Sequence, residues 1–203
     1  MKIVSRFLLK ILSFLPDGPW MWGAKAFQLE SKGEYKDGLQ EGPWEMFYEN
    51  GQLEFKGTYK EGRRHGPWEM FYEDGQLKVK GASINGRPDG PFERYYRSGR
   101  VSERYNCVNG EQTGRYENFH ENGQLKEKGT YRRNFRDGLL EAYYENGQLQ
   151  KKGHYKASAM DGPWEFYYEN GQLGKKENYK DGLLDGLWEY FDKNGQLKET
   201  RNY

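Results

Sequence analysis

The chain has 203 residues, enough for one or two ordinary domains, and a formal net charge of +1 from 32 basic and 31 acidic side chains. That balance leaves no electrostatic footprint for nucleic acid, and a single cysteine, Cys107, leaves no disulfide within the chain. Only 34% of residues are hydrophobic and mean hydropathy is −1.17, yet 17% are aromatic, which excludes an ordinary disordered chain and points to rings as the buried material.

Met1 to Leu15 differs from everything after it. Ile3, Phe7, Ile11 and Phe14, with Val4, Leu8, Leu12 and Leu15, fall at helical spacing. Lys2, Arg6 and Lys10 add a basic stripe, and Pro16-Asp17-Gly18 stops the helix. Three readings stay open. The segment caps the open end of a sheet; it lies on a membrane surface through Lys2, Arg6, Phe7, Lys10 and Phe14; or it is an export signal, although Lys10 splits the apolar run. It is too short and too charged to span a bilayer.

From Gly18 onward the chain repeats. Gly18, Gly42, Gly66, Gly90, Gly114, Gly138, Gly162 and Gly186 each lie 24 residues after the last. A fixed period of this length marks a repeat architecture. The domain plan is a leader over 1–17 and a repeat domain over 18–203. The repeat at Gly18 carries Ala26-Phe27 where others carry a turn pair, and reads as a terminal cap.

The repeat at Gly42 shows the local logic. Trp44 to Tyr48 and Leu53 to Tyr59 favour strands, and Asn50-Gly51 between them is a hairpin signal of type I′. A two-residue turn there sets Tyr48 against Leu53, Met46 against Phe55, Glu45 against Lys56 and Trp44 against Gly57. Alternation then places Trp44, Met46, Tyr48, Leu53 and Phe55 on one face, and Glu45, Phe47, Glu54 and Lys56 on the other. Glu45–Lys56, Glu69–Lys80, Glu93–Arg104, Glu117–Lys128, Glu141–Lys152 and Glu165–Lys176 become ion pairs within their hairpins, and Trp44 covers the bare backbone of Gly57. Lys60 to His65 reads as a looser, longer hairpin back to the next repeat. The fold class is all-β: an elongated, twisted single antiparallel sheet of repeated hairpins, on the order of fifteen strands, with a short N-terminal helix. One hairpin alone buries too little to fold, so neighbours must stabilise each other.

Further along, the repeat at Gly90 departs most. Phe92 replaces Trp, and Arg94, Arg97, Arg100 and Arg104 come together, either as a solvated face or as a docking patch for an acidic partner. The repeat at Gly114 has Tyr116 for Trp and His120 for Tyr. The repeat at Gly138 has Leu140 for Trp and a glycine-free connection from Lys156 to Asp161. The chain ends at Tyr203, where the second strand of a repeat ends, as expected of an intact domain.

The motif Gly-Pro-Trp-Glu-x-Phe-Tyr-Glu-Asn-Gly-Gln-Leu-x-x-Lys-Gly-x-Tyr-Lys-x-Gly resembles the MORN-repeat variant of bacterial proteins of the YwqK-type antitoxin family. The resemblance covers Gly18 to Tyr203. It implies a curved antiparallel sheet and an antitoxin role with a cognate toxin as partner, in the cytoplasm. MORN repeats more widely imply protein contacts, membrane apposition or lipid head groups. The family has no catalytic motif to carry over.

No reaction centre is legible. His65, His120 and His154 occupy three different places in their repeats, which argues against a shared metal or triad. The carboxylates recur with the period, whereas a catalytic pair should be unique. No enzyme activity, cofactor, metal or small-molecule substrate is expected. The candidate contact strip is Phe47, Phe71, Tyr95, Phe119, Tyr143, Tyr167 and Phe191, with Arg94, Arg97, Arg100 and Arg104 as a specificity element for a protein partner. The competing reading is that these rings simply pack over the sheet.

Overall fold

The computed structural model describes residues 31–203. The expected leader helix, the repeat start at Gly18 and the membrane candidates Lys2, Arg6, Phe7, Lys10 and Phe14 lie outside the described residues. Within them the fold is all-β, with 19 strands and every pairing antiparallel. The chain divides into two compact units, the first up to Arg87 and the second from Pro88.

The first unit holds β1 (Ser31–Lys36), β2 (Leu39–Phe47), β3 (Leu53–Lys60), β4 (Arg63–Phe71) and β5 (Leu77–Ile84); the short β6 (Arg87–Pro88) falls at the division. The second unit holds β7 (Gly90–Tyr95), β8 (Val101–Val108), β9 (Glu111–Gln112), β10 (Gly114–Phe119), β11 (Leu125–Arg132), β12 (Phe135–Arg136) and β13 (Gly138–Tyr143). It continues through β14 (Leu149–Lys156), β15 (Ala159–Tyr167), β16 (Leu173–Lys180), β17 (Leu183–Leu184), β18 (Leu187–Phe191) and β19 (Leu197–Asn202). The count exceeds the expectation because β6, β9, β12 and β17 are two-residue pieces, each split from the strand that follows.

The turns exchange the roles expected of them. At the Asn-Gly tip the Gly51 amide donates to the Tyr48 carbonyl at 2.8 Å, and the Tyr48 amide donates to the Gln52 carbonyl at 2.8 Å. Only Gly51 takes positive φ there. This is a three-residue loop closed by a left-handed glycine, not the type I′ turn expected. Tyr48 therefore faces Gln52, and Phe47 faces Leu53. The register then shifts between Met46 and Phe47, with Glu54 as the extra residue of a bulge. One added loop residue and one bulge cancel, so Met46–Phe55, Glu45–Lys56 and Trp44–Gly57 pair as expected. Asparagine is used for its side chain: Asn50 Oδ1 accepts the Gln52 amide at 2.9 Å and Nδ2 donates to the Glu73 carbonyl of the next repeat at 2.8 Å.

The type I′ turns lie at the opposite end, in the segments expected to be loose. Glu61 and Gly62 both have positive φ (51° and 72°), as do Arg133 and Asn134 (52° and 69°) and Ala157 and Ser158 (49° and 68°). These turns also tie repeats together: the Gly62 amide reaches the Gln40 carbonyl at 2.9 Å, and the Ser158 amide reaches the Arg136 carbonyl at 2.8 Å. Ala157 has no side chain to recommend it for a left-handed conformation, which asparagine tolerates better. Ala157→Asn is expected to stabilise the second unit by about 0.5–1 kcal/mol, read as a higher denaturation midpoint with unchanged m-value. Ser158 should stay, because its Oγ accepts the Arg136 amide at 3.0 Å.

Each core is a layer of rings over backbone. In the second unit Trp164 (0% exposed), Leu140 and Ala142 are buried, with Tyr155, Met160, Phe166 and Tyr179 packed on them. In the first unit Trp44, Phe55 and Trp68 are buried, and the Trp68 indole donates to Ser83 Oγ at 3.0 Å. Trp44 and Trp164 do lie over glycine, but of the preceding repeat. A Cβ on Gly33 would meet the Trp44 ring at 2.3 Å, and one on Gly153 would meet Trp164 at 2.2 Å. The ring leans away from its own hairpin partner because the indole N–H seeks a carbonyl one repeat back: Trp44 Nε1 to Glu34 O at 3.3 Å, Trp164 Nε1 to His154 O at 3.1 Å. Thus Trp44 and Trp164 join repeats, whereas Trp68 turns its indole to Ser83 and Tyr116 covers Gly129 within their own hairpins.

Candidate functional site

The face opposite the tryptophans carries a ladder of alternating charge running across the strands. In the second unit the Cα register runs Glu93, Arg104, Glu117, Lys128, Glu141, Lys152, Glu165, Lys176, Glu189. In the first unit it runs Lys32, Glu45, Lys56, Glu69, Lys80. Each lysine inside these ladders thus has a glutamate on either side. Of the ion pairs expected inside hairpins Glu93–Arg104 forms there, while three lysines turn instead towards the next repeat: Lys56–Glu69 at 2.7 Å, Lys128–Glu141 at 2.6 Å and Lys152–Glu165 at 2.8 Å. Arg104, with a longer fork, reaches Glu93 at 3.2 Å and Glu117 at 3.8 Å. The register is as expected; the partner differs because a flexible lysine chooses between two equivalent neighbours, a choice alternation alone does not make.

Phe47, Phe71, Tyr95, Phe119, Tyr143, Tyr167 and Phe191 stand two residues from the ladder at the end of each strand, all partly buried. Contacts of five of them, Phe71, Tyr95, Phe119, Tyr143 and Tyr167, fix these rings on the charged face. Tyr95, Tyr143 and Tyr167 donate their hydroxyls to Glu93, Glu141 and Glu165. Lys56 lies 5.5 Å from the Phe71 ring centre, Arg104 5.3 Å from Phe119 and Lys128 5.8 Å from Tyr143. Donation from Lys128 and Tyr143 holds the Glu141 carboxyl below its usual range, and Lys152 and Tyr167 do the same for Glu165. A third row, the exposed Leu139, Pro163 and Leu187, flanks the ladder on its other side in the second unit. In the first unit the corresponding Pro43 and Pro67, with Thr58, Glu45, Lys56 and Glu69, line a hollow of about 340 Å³.

The four arginines do not converge. Arg104 belongs to the charged face. Arg94 pairs with Glu103 at 3.1 Å on the opposite face. Arg97 and Arg100 sit at a hairpin tip, where Arg100 Nη1 donates to the Glu121 carbonyl at 2.9 Å. Asn122, Asn146 and Asn170 make the matching bond in their repeats, from Nδ2 to Glu145, Glu169 and Lys193. Ser98 stands where that asparagine is missing, so Arg100 restores a stitch between repeats.

Another stitch was not anticipated. Tyr48, Tyr96, Tyr144 and Tyr168 donate their hydroxyls to the carbonyls of Phe71, Phe119, Tyr167 and Phe191 in the following repeat, at 2.6–3.0 Å. His120 takes the tyrosine's place, its Nε2 2.9 Å from the Tyr143 carbonyl. The signal was present in the sequence as a second invariant-looking tyrosine, but the period alone does not say that its partner lies one repeat on. Among the described residues no group of three His, Cys, Asp or Glu side chains is placed to hold a metal, and no helix is long and apolar enough to cross a membrane.

A chain whose repeats carry recurring side-chain stitches and regularly spaced surface rows is a hairpin-repeat scaffold for binding. It belongs to the MORN repeat variant family, whose model matches residues 40–61, 64–84, 112–133, 136–157, 160–181 and 184–203, more than half of the chain. The diverged repeat at Gly90 escapes that match, yet β7 and β8 pair there in the regular register. No curated protein matches the chain. Among solved structures, a chain of the crystal structure of TcdB2-TccC3-Cdc42 is similar at 11% identity and a TM-score of 0.19, over 86% of this chain and 13% of that one.

Proposed function

We propose that the charged face is a docking surface for one extended protein partner, gripped through the row Phe119, Tyr143, Tyr167 and Phe191 and the adjacent ladder. The observation that supports this is the coincidence of three rows of different chemistry, apolar, ionic and aromatic, on one face at one spacing. A solvated surface needs charges, but it does not need rings beside them in each repeat. MORN repeats generally mediate protein or membrane contacts, and the resemblance to YwqK-type antitoxins makes a cognate toxin the first partner to try, in the cytoplasm.

The test is affinity capture with the full chain, then quantitative binding of the captured partner to a Phe119→Ala/Tyr143→Ala/Tyr167→Ala variant. A loss of at least about a hundredfold is expected, since buried aromatic anchors dominate such interfaces. Tyr143→Phe/Tyr167→Phe, which keeps the rings, should retain most of the affinity. A folded triple variant that binds undiminished overturns the reading. Vesicle binding that depends on residues 1–15 and not on the strip would assign the contact to a membrane surface instead.

A further inference from the structure

Resting on that reading, we propose that the segment held by the charged face is a polyproline II helix with an acidic side chain at every third residue. The argument begins with spacing. Every row on this face recurs once per two strands, and adjacent strands lie about 4.8 Å apart, so the rows repeat every ~9.6 Å. A polyproline II helix rises about 3.1 Å per residue with three residues per turn, so one edge of it repeats every ~9.3 Å. A β-strand repeats one side at about 6.7 Å, and two turns of α-helix take about 10.8 Å. Over the four steps from Tyr95 to Phe191, polyproline II slips by about 1 Å against the sheet, whereas an α-helix slips by about 5 Å and loses register.

The sign follows from which end of each ion pair is outermost. The side chains of Arg104, Lys128 and Lys152 are 48%, 46% and 42% exposed, against 26%, 23% and 29% for Glu93, Glu141 and Glu165. The glutamates are covered because each is gripped by a basic residue and by the hydroxyl of the tyrosine two positions on. Glu117, followed two positions on by Phe119 rather than a tyrosine, is 45% exposed and stays open between Arg104 and Lys128. Around it the second unit presents outward the cations Arg104, Lys128 and Lys152, one per repeat, beside a row of rings, one per repeat. An extended helix with three edges fits both rows at once. Its acidic edge meets Arg104, Lys128 and Lys152, a neighbouring edge of pyrrolidine rings meets Phe119, Tyr143 and Tyr167, and the third edge faces solvent. Aromatic grooves take preformed polyproline II in the same manner elsewhere, with little ordering entropy to overcome.

Fluorescently labelled (Glu-Pro-Pro)n, (Glu-Pro-Pro-Pro)n and (Lys-Pro-Pro)n peptides, titrated against the full chain and read by anisotropy, test this. The third-residue acidic peptide should bind at least about tenfold tighter than the fourth-residue peptide, which has the same backbone but the wrong phase, and more tightly still than the basic peptide. Lys128→Ser/Lys152→Ser, checked for folding by circular dichroism, should remove most of that preference. Equal affinity for the two acidic peptides, or no binding of either, overturns the proposal. If the triple aromatic variant still loses its captured partner in that case, the docking face stands and only its occupant is wrong. If the captured partner is retained, the face itself falls and the occupant with it.

Discussion

Trp164→Ala is expected to destabilise the second unit by about 3–5 kcal/mol, the upper range for truncating a buried ring. Against the ~5–15 kcal/mol by which a domain is stable, that is a large share, and the thermal midpoint should fall by more than about 10 °C. Trp164 is fully buried, packs with Leu140 and Ala142, and stacks on Phe166 with ring centres 5.9 Å apart. Its ring rests on Gly153, where a Cβ would come within 2.2 Å of it. Gly153 does not need its glycine for positive φ, so the site tests space alone. Gly153→Ala should therefore cost about 1–3 kcal/mol by overpacking, and close to nothing once Trp164 is already alanine. The double variant should be nearly as stable as Trp164→Ala. Strict additivity in chemical denaturation would show that the ring does not depend on the bare backbone beneath it.

What the sequence made legible was whatever the repeat itself repeats. The period placed every hairpin tip, the outer register and the face of each ring, because a one-residue error would turn every side chain over. It misread the turns. Asn-Gly suits both a type I′ turn and a loop closed by a left-handed glycine, and the compensating bulge at Glu54 leaves the outer pairs Glu45–Lys56 and Trp44–Gly57 unchanged. The pairs that distinguish the two turns, Tyr48 with Gln52 and Phe47 with Leu53, are those at the tip. Glu61-Gly62 and Ala157-Ser158 looked like loose connections because their composition varies, yet each holds both residues at positive φ. The candidate site was legible as a strip beside a charge pattern. The direction of its contacts was not: Lys56 turning to Glu69, Trp164 to Gly153, Tyr48 to the Phe71 carbonyl all join one repeat to the next. Periodicity treats the neighbour before and the neighbour after alike. Arg100 illustrates the remainder, since its role follows from what Ser98 fails to do.

The same logic makes Glu177 the most informative departure from the pattern. It occupies the place that Gly57, Gly81 and Gly153 hold elsewhere, and is only 7% exposed. Trp188 Nε1 and Lys175 Nζ donate to its Oε1 at 2.8 and 2.9 Å, and the Tyr179 hydroxyl donates to Oε2 at 2.8 Å. Burial by itself would push this carboxyl up, but the donors from Lys175, Tyr179 and Trp188 outweigh it and hold the group below its usual range. A depressed carboxylate contributes stability that is present above its unfolded pKa of about 4.3 and is lost as pH falls through the folded value. Glu177→Ala strands three donors without an acceptor and is expected to cost about 2–4 kcal/mol at neutral pH. Glu177→Gly should cost clearly less. It restores a bare backbone on which Trp188 can lie as Trp164 lies on Gly153, with its indole N–H turned to the Asn178 carbonyl, the counterpart of the His154 carbonyl that Trp164 uses. Urea midpoints at neutral pH, and again below pH ~4, separate the two accounts. The glycine variant should lie nearer the parent than the alanine variant, and should lose less stability than the parent on acidification. If glycine proves as damaging as alanine, the ring does not fall back on the position its fellows occupy, and Glu177 holds the last repeat in an arrangement of its own.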